Sequence, residues 1–196
     1  NFGNILSASY AKEMGLPIGR LLCASNSNNV LTDFIATGKY DRNRPFYNTV
    51  SPSMDILISS NLERLLYLLS GGDDKLVAGY MKELSDTGCY QVSEEMRKKI
   101  QSVFVGGFSS EAETEATIGK MMDEHKYLID THTAVAFHVL EQYRKETGDQ
   151  TKTVVASTAS PFKFCDAVLD ALNVTDKATG TALLDQLAEV SGMPAP

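Results

Sequence analysis

Two short apolar runs constrain this chain most. They are "RLLCAS" at 20–25 and "VFVGGFSS" at 103–110. Both are too short for a stable helix, and each leads through polar residues into a helix-like segment. Runs of this kind, without alternation, fit strands buried on both faces of a parallel sheet. A third β-rich run, "TKTVVAST" at 151–158, precedes "SPFKFCDAVLDALN", which reads as helical. Ahead of the first run, "GNILSASYAKEMG" predicts a helix from about Asn4 to Met14, stopped by Gly15 and Pro17. "NVLTDFIATG" predicts a second short helix ending at Gly38.

The middle of the chain is helical in pattern. From "MDILISSNLERLLYLLS" to "GGDDKLVAGYMKELSDTG", Leu62, Leu65, Leu66 and Leu69 form one apolar face, and Asp73 or Asp74 can cap the second helix. "SEEMRKKIQS" starts with Ser93 and two glutamates suited to a first turn. "SEAETEATIGKMMDEH" and "THTAVAFHVLEQYRKETG" predict two more helices, and the tail is helical too. "KYDRNRPFYNTVSPS" has no period and reads as loop. The predicted architecture is α/β, a partial parallel sheet flanked by helices. Residues 1–59 and 101–196 form its α/β part, and residues 60–100 form a helical insertion. Three or four strands are few for a doubly wound sheet, so more of the sheet is expected upstream.

Charge and composition exclude several classes. A formal charge of −7 and a pI near 5.0 argue against a nucleic-acid groove or an anionic membrane surface. No run approaches the roughly 20 apolar residues of a membrane span. Cys23, Cys89 and Cys165 are odd in number and far apart, which fits a reducing cytoplasm better than a disulfide framework. His125, His132 and His138 have no HExxH spacing, so no metal site is expected.

Four stretches can carry chemistry. In "NFGN", Gly3 permits close approach of a ligand or a positive φ, and the helix that follows presents free N–H groups to an anion. Asn1 and Asn4 add amide donors, although turn chemistry accounts for the same residues. In "VVASTASPFKF", Ser157, Thr158 and Ser160 follow a predicted strand, where a hydroxyl can cap a helix or meet a ligand nitrogen. Lys163 is an anion contact or a solvated lysine. In "YLIDTHTAVAF", Asp130, His132 and Thr133 sit where a helix begins, and capping explains them as well. In "NTVSPSMDILISSNLERL", Ser51, Ser53, Asp55 and Asn61 crowd a helix start, and Arg64 can pair with a carboxylate or bind phosphate.

Taken together, "NFGNILSASYAKEMGLPIGRLLCASNSNNVLTDF", "SPSMDILISSNLERLLY", "DTHTAVAF" and "STASPFKF" resemble ordered blocks of the threonine synthases, fold-type II pyridoxal-phosphate enzymes. The resemblance covers nearly the whole chain. It implies conversion of O-phosphohomoserine and water to threonine and phosphate, with pyridoxal 5′-phosphate as cofactor. It implies that Asn1, Phe2, Gly3 and Asn4 end the loop that wraps the cofactor phosphate. It implies that Thr158, or Ser157 one residue before it, bonds the pyridine nitrogen. Lys163, Arg64 and His132 are the candidates for substrate contact. Ser160 stands where the family commonly has histidine, and Thr131 where it commonly has proline. The family's Schiff-base lysine sits in an F-K-D stretch, and none of the twelve lysines follows phenylalanine and precedes aspartate. The resemblance therefore implies a C-terminal half that lacks the catalytic lysine and is inactive without the N-terminal half of the same chain. A non-catalytic phosphate-binding or interaction module derived from the family is the alternative. Neither reading needs nucleic acid or membrane, and both allow a homo-oligomer.

Overall fold

The computed structural model describes residues 2–195. It divides into two compact units: the chain through Asn48 joined by Ser53–Phe108, and Thr49–Pro52 joined by the chain from Ser109 onward.

The first unit alternates helices and short strands in the order α1 (Gly3–Glu13), β1 (Leu21–Ser25), α2 (Val30–Thr37), β2 (Lys39–Asp41), α3 (Leu62–Leu69), α4 (Asp74–Thr87), β3 (Cys89–Gln91), α5 (Glu94–Val103) and β4 (Phe104–Phe108). β1 and β4 pair in parallel, from Leu21 opposite Phe104 to Ser25 opposite Phe108. The parallel pairing is the one expected of the two apolar runs, but burial on both faces is not, since only Leu21, Cys23 and Ser25 of β1 and Phe104 of β4 are buried. α2 lies directly on this pair. A Cβ at Gly106 would meet the Thr32 backbone at 2.9 Å, so only glycine fits there, and the Thr32 hydroxyl donates to Gly107 O at 2.9 Å. Helix stops follow the sequence signals: Gly38 and Gly88 take the left-handed conformation after α2 and α4. Asp73 caps α4 by accepting from Leu76 N at 2.9 Å, and Ser93 caps α5 by accepting from Met96 N at 3.2 Å.

Two parts of this unit differ from the sequence reading. "KYD" is a strand, paired antiparallel with β3, and neither strand has the length to show a period. What holds them is aromatic packing: the Tyr40 and Tyr90 rings stack at 5.3 Å, with Phe34 edge-on to both. The helix expected from "MDILISS" onward begins only at Leu62; of its predicted face, Leu62, Leu65 and Leu66 are buried in the core and Leu69 is partly buried against it.

The second unit is built from α6 (Glu111–His125), α7 (Thr131–Thr147), α8 (Cys165–Ala171) and α9 (Ala182–Ser191). Ser110 and Glu113 form a reciprocal capping box on α6. The core includes Ile118, Ile129, Ala134, Val168, Leu169 and Leu187. A Cβ at Gly119 would lie 3.2 Å from Ala171 O, which marks a close approach of α6 and α8. The separate segment Thr49–Pro52 belongs to this unit, and Val50 N donates to Glu111 Oε2 at 3.0 Å.

The run 151–158 is not a strand. A strand needs a ladder partner for its backbone, and none pairs with it among the described residues. Instead Asp149 Oδ1 accepts from Thr151 N, Arg144 reaches Thr151 O and Thr153 Oγ1, and Val154 is 93% exposed. Among the described residues no helix is long and apolar enough to cross a membrane.

Candidate functional site

In the first unit the candidate cofactor loop is the start of α1. Asn1 lies outside the described residues. Phe2 takes the left-handed conformation at φ 62°, and among the described residues no side chain caps the helix. The positive φ that the sequence offered to Gly3 therefore falls on Phe2. A non-glycine residue there is strained. Phe2 holds the conformation because its ring is buried and packs on Phe104 at 5.5 Å. Gly3 and Asn4 are exposed, at the end of the helix where first-turn N–H groups lack intrahelical partners.

Gly3 has no internal reason to be glycine. It sits in helix, and a Cβ on it would make only an ordinary contact with Asn61 Nδ2 at 3.7 Å. A bare, uncapped helix start with a glycine that packing does not require fits an anion brought close to the backbone. By this test the residues present suit a cofactor phosphate. Asn61, just before α3, is the neighbour on this side. Arg64 is elsewhere on α3, exposed, and lines a cleft of about 420 Å³ with Tyr10, Glu63, Tyr67 and Asp74.

In the second unit the candidate residues gather around Asp130, which is 1% exposed. Its Oδ1 accepts from the backbone N–H of His132 at 2.9 Å and of Thr133 at 3.4 Å, capping α7. The His132 ring Nδ1 lies 3.1 Å from the same oxygen. The Thr133 hydroxyl donates to Asp130 Oδ2 and lies 2.9 Å from Ser157 Oγ. Burial pushes the Asp130 carboxyl up, but the hydrogen bonds from His132 and Thr133 outweigh it and hold the group below its ordinary value. His132 also packs against Phe164 at 4.8 Å between ring centres.

This network brings His132 and Ser157 together. Ser157 lines a pocket of about 300 Å³ with Ile129, Asp130, Ala159, Ser160 and Phe162. Thr158, next to it, is exposed. Ser160 accepts from Phe162 N at 3.3 Å and so caps the short turn Pro161–Phe164. Lys163 sits on that turn with its side chain exposed. Capping explains Asp130, the N-cap of α7, and the Thr133 N–H that it accepts from, as the sequence allowed; the Thr133 contact with Ser157 joins positions 24 apart and no local pattern announces it.

Three comparisons bear on this arrangement. The family described as "Threonine synthase, C-terminal" matches residues 133–195. Threonine synthase-like 1 of Homo sapiens is 41% identical over 196 residues, covering 99% of this chain and 26% of that protein. Threonine synthase of Saccharomyces cerevisiae is 38% identical over 187 residues, covering 88% of this chain and 36% of that protein. The crystal structure of PLP-bound threonine synthase from Brucella melitensis superposes with a TM-score of 0.82 at 38% identity, over 100% of this chain and 40% of that one. The α/β architecture is therefore that of the fold-type II pyridoxal-phosphate enzymes. Within that class the chain is similar to the threonine synthases and aligns with their C-terminal part. It spans between a quarter and about two-fifths of the relatives it matches.

Proposed function

We propose that the whole protein containing this chain is a pyridoxal-5′-phosphate-dependent threonine synthase, a lyase that converts O-phosphohomoserine and water to threonine and phosphate. The observation that carries this reading is the likeness to threonine synthases in both sequence and fold along nearly all of the 196 residues. The bound cofactor supplies an electron sink for proton removal from the substrate carbons.

The residues of this chain bind and orient. The first-turn N–H groups at Gly3 and Asn4, with the Asn1 amide, hold the cofactor phosphate, and the buried Phe2 ring fixes the loop that presents them. The hydroxyl of Thr158 or Ser157 meets the pyridine nitrogen. That hydroxyl would be a neutral hydrogen-bond partner for the cofactor, with no charge of its own. Asp130, through Thr133, positions Ser157. His132, Lys163 and Arg64 are assigned to the substrate side. The lysine that carries the cofactor is assigned to the upstream part of the same polypeptide, which is also this chain's principal partner. Residues 60–100, helical apart from β3, are assigned as an insertion in the cofactor-binding domain, and the cytoplasm is the assigned compartment.

A second reading, a non-catalytic phosphate-binding module, is favoured by one observation. The relatives at 41% identity bear only the name threonine synthase-like 1. Ser160, where the family commonly has histidine, is compatible with it. The deciding experiment adds pyridoxal phosphate to the full-length protein. It follows visible absorbance of bound cofactor and phosphate release from O-phosphohomoserine. Turnover with a cofactor band supports the synthase. Phosphate binding with neither signal supports the module.

A further inference from the structure

Beyond the carboxyl ends of β1 and β4 lies a pocket of about 390 Å³, lined by Ser27, Asn29, Arg44, Pro45, Tyr47 and Phe108. In open α/β sheets this is the side on which ligands bind. One wall is the loop that the sequence left without a pattern, and it is firmly held. Asn28 grips the main chain of Tyr47 twice, accepting from its N–H at 2.9 Å and donating to its carbonyl at 2.8 Å. Asn26 Oδ1 accepts from Asn28 N at 3.0 Å, and the side-chain amides of Asn26 and Asn28 donate to Asp55 Oδ1 at 2.7 and 3.1 Å. Both asparagines are buried. A buried polar network of this kind rigidifies what it touches.

The same loop presents Arg44 in a fixed orientation. Its Nε donates to Asp41 O at 2.9 Å, and its Nη1 donates to Asn29 Oδ1 at 3.0 Å and Asp33 Oδ2 at 2.8 Å. Those three bonds fix the guanidinium plane, while Nη2 makes no bond to any described residue. A guanidinium anchored on two nitrogens with the third open is suited to an oxyanion. Asn29 spends its side-chain oxygen on Arg44, so α2 starts at Val30 without a side-chain cap, and the one carboxylate of its first turn, Asp33, is paired with Arg44. The lining residues include the hydroxyls of Ser27 and Tyr47 and no carboxylate.

We propose that this pocket is the subsite for the phosphoryl group of the substrate, with Arg44 as its charged ligand. It rests on the synthase reading, in which a phosphate monoester enters and inorganic phosphate leaves. The pocket then retains phosphate as product as well.

The test uses the full-length protein, with steady-state kinetics and calorimetric binding of inorganic phosphate read in parallel. An inactive wild type that still binds phosphate through Arg44 overturns the synthase reading and leaves the subsite standing. In Arg44→Gln, the KM for O-phosphohomoserine and the inhibition constant for phosphate are expected to rise about tenfold or more, the loss of a charge-assisted pair. Asp33→Asn removes the exposed carboxylate that offsets Arg44, and phosphate is expected to bind about two- to fivefold tighter. A purely structural role for the Arg44–Asp33 pair predicts weaker binding in both variants, so the opposite signs are decisive. If Arg44→Gln does not fold, Asp33→Asn still decides alone. The subsite is overturned if Arg44→Gln leaves the phosphate constant within about twofold, or if Asp33→Asn weakens it. It is also overturned if Arg44→Gln weakens inhibition by threonine instead, which would make the pocket a carboxylate site.

Discussion

Replacing Asp130 tests whether one carboxylate holds the candidate site of the second unit. Asp130→Ala removes the cap of α7, worth about 1 kcal/mol. It also deprives the Thr133 hydroxyl, on a residue 2% exposed, of its acceptor. An orphaned buried hydroxyl costs about 1–3 kcal/mol. Ser157 Oγ at 2.9 Å can take over part of that bond, so the sum comes to about 2 kcal/mol. Asp130→Asn keeps the Oδ1 acceptor that caps α7 but loses the charge and replaces Oδ2, the acceptor of the Thr133 hydroxyl, with an amide donor, so the cap is kept and about half the effect is expected. The assay is urea unfolding of the full-length protein, with hydrogen exchange at the amides of His132 and Thr133 as the local reading. The pH dependence has a definite sign. The folded Asp130 lies below its ordinary value, so its stabilisation is fully present above about pH 4, the unfolded value, and is lost as pH falls through the folded one. Asp130→Asn should lack that component. An Asp130→Ala loss under about 0.5 kcal/mol would refute the argument. So would parallel acid curves for wild type and Asp130→Asn.

Gly3→Ala is expected to leave stability unchanged or slightly raised, because alanine suits a helix and meets only Asn61. Its affinity for pyridoxal phosphate should fall several-fold in an absorbance titration, and unchanged affinity would remove Gly3 from the cofactor loop. Gly106→Ala should cost about 1–3 kcal/mol in denaturant unfolding, since its Cβ would strike the Thr32 backbone; a neutral result would mean that α2 shifts freely on β4. Burial pushes the Cys23 thiol up to about 12 and raises Cys165 as well. Under native conditions a thiol-exchange reagent should therefore modify the partly exposed Cys89 first, with the other two reacting only after denaturation.

The elements that were legible in the sequence carry their own boundaries. α1 ends before Gly15 and Pro17, α2 ends at Gly38, and Asp73, Ser93 and Asp130 cap the helices that follow them. β1 and β4 were legible because a run of apolar residues too short for a helix has few other buried fates. β2 and β3 were not, since three residues cannot display a period and their pairing joins positions about fifty apart. The run 151–158 was misread for a related reason. β-branched composition reports fitness for a pleated, half-buried surface, and the described residues offer that run no such surface. The site divides in the same way. Gly3 and Ser157 stood out as local turn chemistry, whereas Arg44 lies in a loop whose order comes from Asn28 and Asp55, both distant in sequence.

Glycines separate the two kinds of constraint. Gly106 is explained inside the chain, since a helix backbone occupies the space its side chain would need. Gly3 is not, for its φ is helical, its surroundings are open and alanine would suit its helix better. A strained Phe2 buried beside it adds a conformational cost that no internal contact of Gly3 offsets. Packing of the Phe2 ring on Phe104 holds that conformation, but it gives no reason for a glycine at position 3. The first-turn N–H groups of α1 suit an anion, which is the reading proposed for Gly3. Arg44 differs in that its orientation is explained internally, by three bonds, and only its remaining nitrogen points outside the fold's own needs. Loss of Arg44 should therefore disturb both stability and anion affinity, and loss of the glycine character at position 3 only cofactor affinity.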